Sequence, residues 1–182
     1  EDAAGPDCYK VGVPTVRPAS QYWTDGITMT FLGSRMVYLG LGSNLGNKLA
    51  NLREARDRLE NADISILCVS PVYKTEPVDF HDQDWFINQA VGLQTILEPE
   101  PLLRICKEIE ETMGREPTFP KGPRLIDLDI LLYMDRVIHE AALIIPHPAL
   151  PARRFVLVPL ADIAADLIHP QLRVTIGHLL LH

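Results

Sequence analysis

Basic charge, paired cysteines and long apolar runs are all scarce in this chain. Seventeen lysines and arginines stand against 24 aspartates and glutamates, a net charge of -7. A nucleic-acid footprint normally needs a basic face, so no nucleic-acid partner is expected. Three cysteines, Cys8, Cys68 and Cys106, are too few and too scattered for a disulfide framework or a C-x-x-C zinc site. Free thiols in a reducing cytoplasm are the simplest reading. No apolar run approaches the ~20 residues needed to cross a bilayer. The opening EDAAGPDCYK has neither the basic start nor the apolar stretch of a signal peptide. A cytoplasmic location without a membrane partner is therefore expected. What remains is an ordinary globular composition, 47% hydrophobic and 23% charged over 182 residues, enough for one domain with a substantial core.

Residues 1–35 carry Gly, Pro, Ser and Thr without either hydrophobic period. They read as a linker, a poorly ordered arm or the remnant of something upstream. Met36 is the natural start of the folded unit, which is expected over 36–182 without internal repeats. MVYLGL at 36–41 reads as a buried strand, and Gly42–Gly46 turns the chain towards Asn47, a helix cap. Leu45, Leu49, Leu52, Ala55, Leu59 and Ala62 recur at helical spacing. ISILCVS at 64–70 is a second strand closed by Pro71, and a polar loop at 75–84 leads to a third strand, Trp85–Thr95. Pro99 and Pro101 open a second helix with Leu102, Ile105, Ile109 and Met113 on its apolar face, and Gly114 stops it. GPRLIDLDILLY at 122–133 is the fourth strand. The order βαββαβ predicts an α+β, ferredoxin-like fold, with two helices on one face of an antiparallel sheet and the site on the other.

The fourth strand raises a question of charge. Ile126, Leu128, Ile130 and Leu132 should share one face, and Leu125, Asp127, Asp129 and Leu131 the other. The aspartate Cα atoms would then lie roughly 6.7 Å apart. A wet face of an antiparallel sheet explains them blandly. Aspartate is nonetheless a poor strand residue, and neighbouring like charges repel. Divalent cations, ~3.5–4 Å apart in two-metal sites, would make the pair favourable. Spacing alone leaves both readings open.

Other stretches are weaker singly. GLGSNLGNK at 40–48 fails the dinucleotide fingerprint at Leu45 and the phosphate-loop pattern at Asn47, so it reads as a strand-to-helix turn. Phe86 and Asn88 share a strand face, where a ring could stack on a flat heterocycle and an amide could read its edge. A core phenylalanine beside an edge asparagine is the plainer account. Arg115, Lys121 and Arg124 bracket the loop before the aspartates and suit phosphate oxygens, although loop charges are usually just solvated. His147, Arg153, Arg154 and Phe155 lie in PHPALPARRF, an ordinary loop by composition.

Together these stretches resemble the 6-hydroxymethyl-7,8-dihydropterin pyrophosphokinase family of folate biosynthesis. The motifs are GLGSNLG, SPVYKTEPV at 70–78, FINQAV at 86–91, GPRLIDLDILLY and IPHPALPARRFVLVPLADIAADLIHP at 145–170, in the family order. The resemblance implies transfer of diphosphate from ATP to the pterin hydroxymethyl group, releasing AMP, with two Mg²⁺ ions. Asp127 and Asp129 match its metal ligands. Phe86 and Phe155 match the aromatic pair around the pterin, Asn88 its edge reader, and Thr75 and Val78 positions whose backbone meets the ring. Glu110, Arg115, Arg124, Ile130, His147 and Arg153 match ATP-site positions, with Arg115 and Arg124 also catalytic. A neighbouring or fused folate enzyme is a further implication.

Two departures from the family pattern stand out. The loop EPTFPK at 116–121 is shorter and less charged, leaving Phe119 and Lys121 as alternatives for the residue that closes over the pterin. Pro148 stands where some members have a tyrosine. Competing functions on the same fold are an RNA-binding or other ligand-binding module, disfavoured by the acidic charge and the lack of paired aromatics in a basic sheet, and a different phosphoryl or nucleotidyl transferase.

Overall fold

A computed structural model of the protein describes residues 8–11, 33–61, 63–77, 83–114 and 122–181. Its centre is strand β2, preceded in the chain by the short β1 (Cys8–Val11) and itself spanning Arg35–Ser43. Val37, Leu39 and Leu41 alternate with Tyr38, Gly40 and Gly42, as a strand between two packed layers requires. The first set is 0–2% exposed, and each such side chain contributes about 1.5–3 kcal/mol on burial. Helix α1 (Lys48–Leu59) follows, and the Asn47 side chain accepts from the Ala50 N–H as its cap. Leu52, Ala55 and Leu59 face the sheet, whereas Leu49 is half exposed and Leu45, in the turn, is 38% exposed. The apolar stripe is therefore one turn shorter than the periodicity predicts.

Strands β3 (Ile64–Val69) and β4 (Val72–Thr75) lie successively along one edge of β5 (Phe86–Thr95), with β2 on its other edge. The expected strand break at Pro71 is real, yet pairing resumes beyond it at Val72–Thr75, a strand that the periodicity does not announce. Helix α2 (Pro99–Thr112) then packs beside α1, and Gly114 takes the positive φ of +94° that ends it. Strand β6 (Asp127–Tyr133) completes the sheet against β2. The order β3-β5-β2-β6, all antiparallel, is the anticipated ferredoxin-like arrangement.

Three features depart from expectation. Cys8–Val11, inside the stretch read as a linker, a poorly ordered arm or the remnant of something upstream, pairs antiparallel with β4 as the outermost strand. The rest of 1–32 lies outside the described residues. The β2–β6 register shifts between Tyr38 and Leu39, so Leu131 is an extra residue, a bulge. Leu131 and Leu132 consequently both join the core on the far side, and strict alternation, which put Leu132 with Ile130, fails there.

The far face is also not bare. After the small hairpin β7 (Ile138–His139) and β8 (Ile144–Ile145), helices α3 (Arg154–Ala164) and α4 (Ile176–Leu181) cover part of it. Leu150, Leu157, Leu160 and Ile176 bury against Tyr38, Ala90, Leu131 and Leu132. The uncovered remainder is a cleft between the sheet and the start of α3. No described helix is long and apolar enough to cross a membrane.

Candidate active site

Ladder pairing places the expected residues in rows. Asn88 is opposite Gly42, and Gly42 is opposite Asp127, so one row crosses three strands. Ala90, Gly40 and Asp129 form the next row, and Thr75 pairs with Phe86 beyond the first. Partners in a ladder share a face, so all of these point into the cleft. The two glycines leave its floor low between the amide of Asn88 and the two carboxylates. A Cβ on Gly42 would sit 3.1 Å from the Asn88 Oδ1 and 4.0 Å from a Phe86 ring carbon. Glycine inside a strand marks such a close approach.

Polar side chains fix this geometry from beneath. Asn88, 8% exposed, donates from Nδ2 to the Thr75 hydroxyl at 2.7 Å. Asn44 is fully buried; its Oδ1 accepts from the Arg124 N–H at 2.8 Å and its Nδ2 donates to Gln83 Oε1 at 2.9 Å. One amide thus joins the loop before Phe86 to the loop before Asp127. Asn51 adds a staple, donating to the Leu45 and Leu125 carbonyls at 2.9 and 3.1 Å. Lys48 Nζ donates to the Trp85 carbonyl at 2.8 Å and pairs with Asp84 at 3.3 Å. The GSNLGNK turn is therefore the clasp of the site.

Charge is arranged around the two aspartates. Arg124 Nη1 donates to Asp127 Oδ2 at 2.8 Å, both side chains being about one-fifth exposed (18% and 22%). Burial, then the Asp127 charge, push the Asp129 carboxyl up to about 6, with Glu110 adding and Lys107 and Arg153 opposing. Two carboxylates this close, one of them largely buried, would gain from a bound cation. The donor set of two carboxylates on adjacent rows also suits Mg²⁺, a hard ion that takes one or two carboxylates and completes its shell with phosphate oxygens and water. No cluster of three His, Cys, Asp or Glu occurs among the described residues.

The opposite wall comes from α3. Arg153, Phe155, Val156 and Pro159 line the cleft, which encloses about 920 Å³ including its part continuous with solvent. The Arg153 guanidinium lies 5.7 Å from the centre of the Phe155 ring. Tyr73 donates its hydroxyl to Asp162 Oδ2 at 2.5 Å, tying α3 to β4.

Of the expected residues, Thr75, Phe86, Asn88, Arg124, Asp127, Asp129, Arg153 and Phe155 line this one cleft. His147 stands near it: its backbone N–H donates to the Leu131 carbonyl at 2.9 Å, and its Nδ1 accepts from the Ala149 N–H at 3.2 Å. Burial and the nearby Arg153 charge lower its pKa, so the ring is neutral with its proton on Nε2. Two more expected residues are not among those lining the cleft: Ile130 is 4% exposed in the core beneath the helices. Glu110, fully buried, accepts the Leu128 N–H at 2.7 Å and pairs with Lys107 at 3.0 Å; it holds the outer edge of β6 and lies off the cleft lining. Val78, Arg115, Phe119 and Lys121 lie outside the described residues. The sequence reading missed Gly40, Gly42 and Asn44. The glycines carried a signal, two small residues at alternate positions of an apolar strand, but reading the strand as ending at Leu41 hid it.

Comparison with known proteins gives the chain's family. A family model described as 7,8-dihydro-6-hydroxymethylpterin-pyrophosphokinase (HPPK) matches residues 38–165. The folic acid synthesis protein fol1 of Schizosaccharomyces pombe is 45% identical over 138 residues, covering 75% of this chain and 19% of that protein. A 2-amino-4-hydroxy-6-hydroxymethyldihydropteridine pyrophosphokinase of Methylorubrum extorquens is 45% identical over 133 residues, 72% of this chain and 84% of that protein. A crystal structure of a Plasmodium falciparum HPPK-DHPS variant superposes with a TM-score of 0.68 at 20% identity, over 81% of this chain and 44% of that one; at that identity it speaks to the fold alone. The chain spans about a fifth of the length of fol1 and most of the length of the bacterial relative. With the motif residues gathered in one cleft and the family match running through β2, β5, β6 and α3, the chain belongs to the 7,8-dihydro-6-hydroxymethylpterin-pyrophosphokinase family.

Proposed function

We propose that this protein transfers the diphosphate of ATP to the hydroxymethyl group of 6-hydroxymethyl-7,8-dihydropterin, releasing AMP, as a step of folate biosynthesis. The observation that carries the reading is the row Asn88–Gly42–Asp127 across three strands. With the neighbouring row of Gly40 and Asp129, an amide and a carboxylate pair stand on either side of an open glycine floor. The pterin lies over that floor between Phe86 and Phe155, with Asn88 offering donor and acceptor to its edge. Thr75 borders the same end, and Val78 is assigned to the pterin ring on the family pattern.

ATP takes the other end, where Arg124 and Arg153 meet phosphate oxygens and His147 offers its Nε2–H. Arg115 is assigned to the same phosphates, and Phe119 or Lys121 to closure over the pterin. The hydroxymethyl oxygen attacks the β-phosphorus, the bond from that phosphorus to the α–β bridging oxygen breaks, and the hydroxyl proton passes to solvent. AMP departs with the bond pair. The work of the protein is alignment and charge stabilisation. Arg124 leaves Asp127 for the transferring group, where its charge counts most. Asp127 and Asp129 would hold Mg²⁺, two ions on the family pattern, which when bound neutralises phosphate charge and polarises the phosphorus.

The decisive experiment is incubation with ATP, Mg²⁺ and the hydroxymethylpterin, followed by chromatography. AMP and the pterin diphosphate should appear in equal amounts. Release of ADP, or no pterin-dependent AMP, would overturn the reading. The longer relatives include a folate synthesis bifunctional protein of Arabidopsis thaliana; a fused or neighbouring folate enzyme is proposed here on that likeness, and a cytoplasmic location on the three free thiols.

A further inference from the structure

Strand β1 runs beside β4 and α3, reaches the residue before Phe86, and buries almost nothing of its own. Tyr9 and Val11 are 53% and 36% exposed, so hydrophobic burial is not what the strand supplies. Its contacts are specific instead. The register Cys8↔Thr75, Tyr9↔Lys74, Lys10↔Tyr73 and Val11↔Val72 closes the outer edge of β4. Alternation then sends Cys8 to the cleft side and Tyr9 to the opposite side. On the cleft side, Cys8 is partly buried and β1 runs beside α3, the helix that carries Phe155. On the other side, the Tyr9 ring stacks on Trp85 with centroids 6.1 Å apart and planes 22° apart. Lys74 Nζ sits 4.8 Å from the centre of the same indole. Trp85 immediately precedes Phe86, and its carbonyl is held by Lys48.

We infer that Cys8–Val11 is a brace that sets the gap between Phe86 and Phe155, and that Tyr9 is its positioning residue. The inference rests on the proposed pterin site. One face of the brace bears on the chain next to Phe86 and the other faces α3, the helix that carries Phe155. Between them the ladder fixes Thr75, the hydrogen-bond partner of Asn88. Loss of the brace widens the slot for a flat ring and leaves the phosphate end, built on β6 and the loop at Arg124, as it was. A strand that merely shields the edge of β4 from other chains would show no such bias.

The test is made in a Trp23→Phe background, because Trp23 and Trp85 are the two tryptophans of the chain, so emission then reports Trp85 alone. Three variants are compared: Tyr9→Ala, Tyr9→Phe and a deletion of residues 1–11. Tyr9→Ala and the deletion should raise KM for the pterin about threefold to tenfold, with kcat and KM for ATP within about twofold. Both should shift Trp85 emission in the apoprotein, and the deletion should speed amide exchange across Val72–Thr75. Tyr9→Phe, which keeps the stack, should restore all of these. Unchanged pterin KM in both variants would overturn the brace, as would equal losses for pterin and ATP in step with a falling Tm. A chain that turns over no pterin at all would sink the functional reading. The Trp85 emission and the exchange rates would then still decide whether β1 holds the wall.

Discussion

Arg124 Nη1 reaches Asp127 Oδ2 at 2.8 Å across the start of β6, while Asp129, one row deeper, has its carboxyl pushed up to about 6. The arginine thus holds the place of a cation at one carboxylate and leaves the other short of compensation. Removing the arginine tests the phosphate role: Arg124→Ala should lower kcat about 10²- to 10³-fold, with a smaller loss of ATP affinity. An equal rise in the ATP dissociation constant with kcat unchanged would make Arg124 a binding residue only.

Asp129 gives a pH prediction with a definite sign. In the unfolded chain its proton leaves near 3.8, and in the folded protein near 6. The folded state binds the extra proton between these values, so stability is fullest below 3.8, falls as pH rises through 6, and levels off above. Asp129→Asn removes the penalty. Its stability should match the parent below pH 4 and exceed it above pH 7, by about 1–2 kcal/mol after solvent screening, with Tm moving the same way. Thermal scans across pH check this, and a Tm gain independent of pH would refute the assignment.

The same variant should be inactive. Asp127→Asn and Asp129→Asn each remove a carboxylate from the proposed Mg²⁺ pair, so turnover should drop by more than about a hundredfold and Mg²⁺-dependent ATP binding should weaken. Titration of ATP with and without Mg²⁺ separates the two effects. Near-normal turnover at limiting Mg²⁺ in either variant would end the metal reading.

Gly42→Ala probes the floor of the cleft. The added methyl would stand 3.1 Å from the Asn88 Oδ1, pushing that amide or a ring above it. Pterin affinity should fall about tenfold or more with ATP affinity kept, and the fold should persist because the φ at Gly42 is not in the left-handed region. Direct binding of each ligand by calorimetry reads the split.

Asn44→Ala should cost both stability and alignment. It deletes the acceptor for the Arg124 N–H and the donor to Gln83 from a fully buried position, a loss of about 1–3 kcal/mol. Denaturant unfolding should show this, together with a drop in kcat larger than in either KM. A variant as stable as the parent would mean that the two loops hold each other without it.

Much of the fold was readable because its signals are local. The two helices declare themselves by 3.6-residue spacing, Asn47 and Gly114 by the unpaired backbone groups or positive φ that they serve, and the aspartate pair by charges on one strand face. These follow from backbone geometry and solvent, which each short segment meets on its own. Tertiary structure decided the rest. The glycine floor depends on which strands flank β2, the bulge at Leu131 on its partner's register, and the fate of Ile130 and Glu110 on which side of β6 the helices pack. Whether Cys8–Val11 becomes a strand depends on β4 offering an open edge 60 and more residues away in the chain. Such pairings are long-range contacts, and no periodicity inside the arm could announce them.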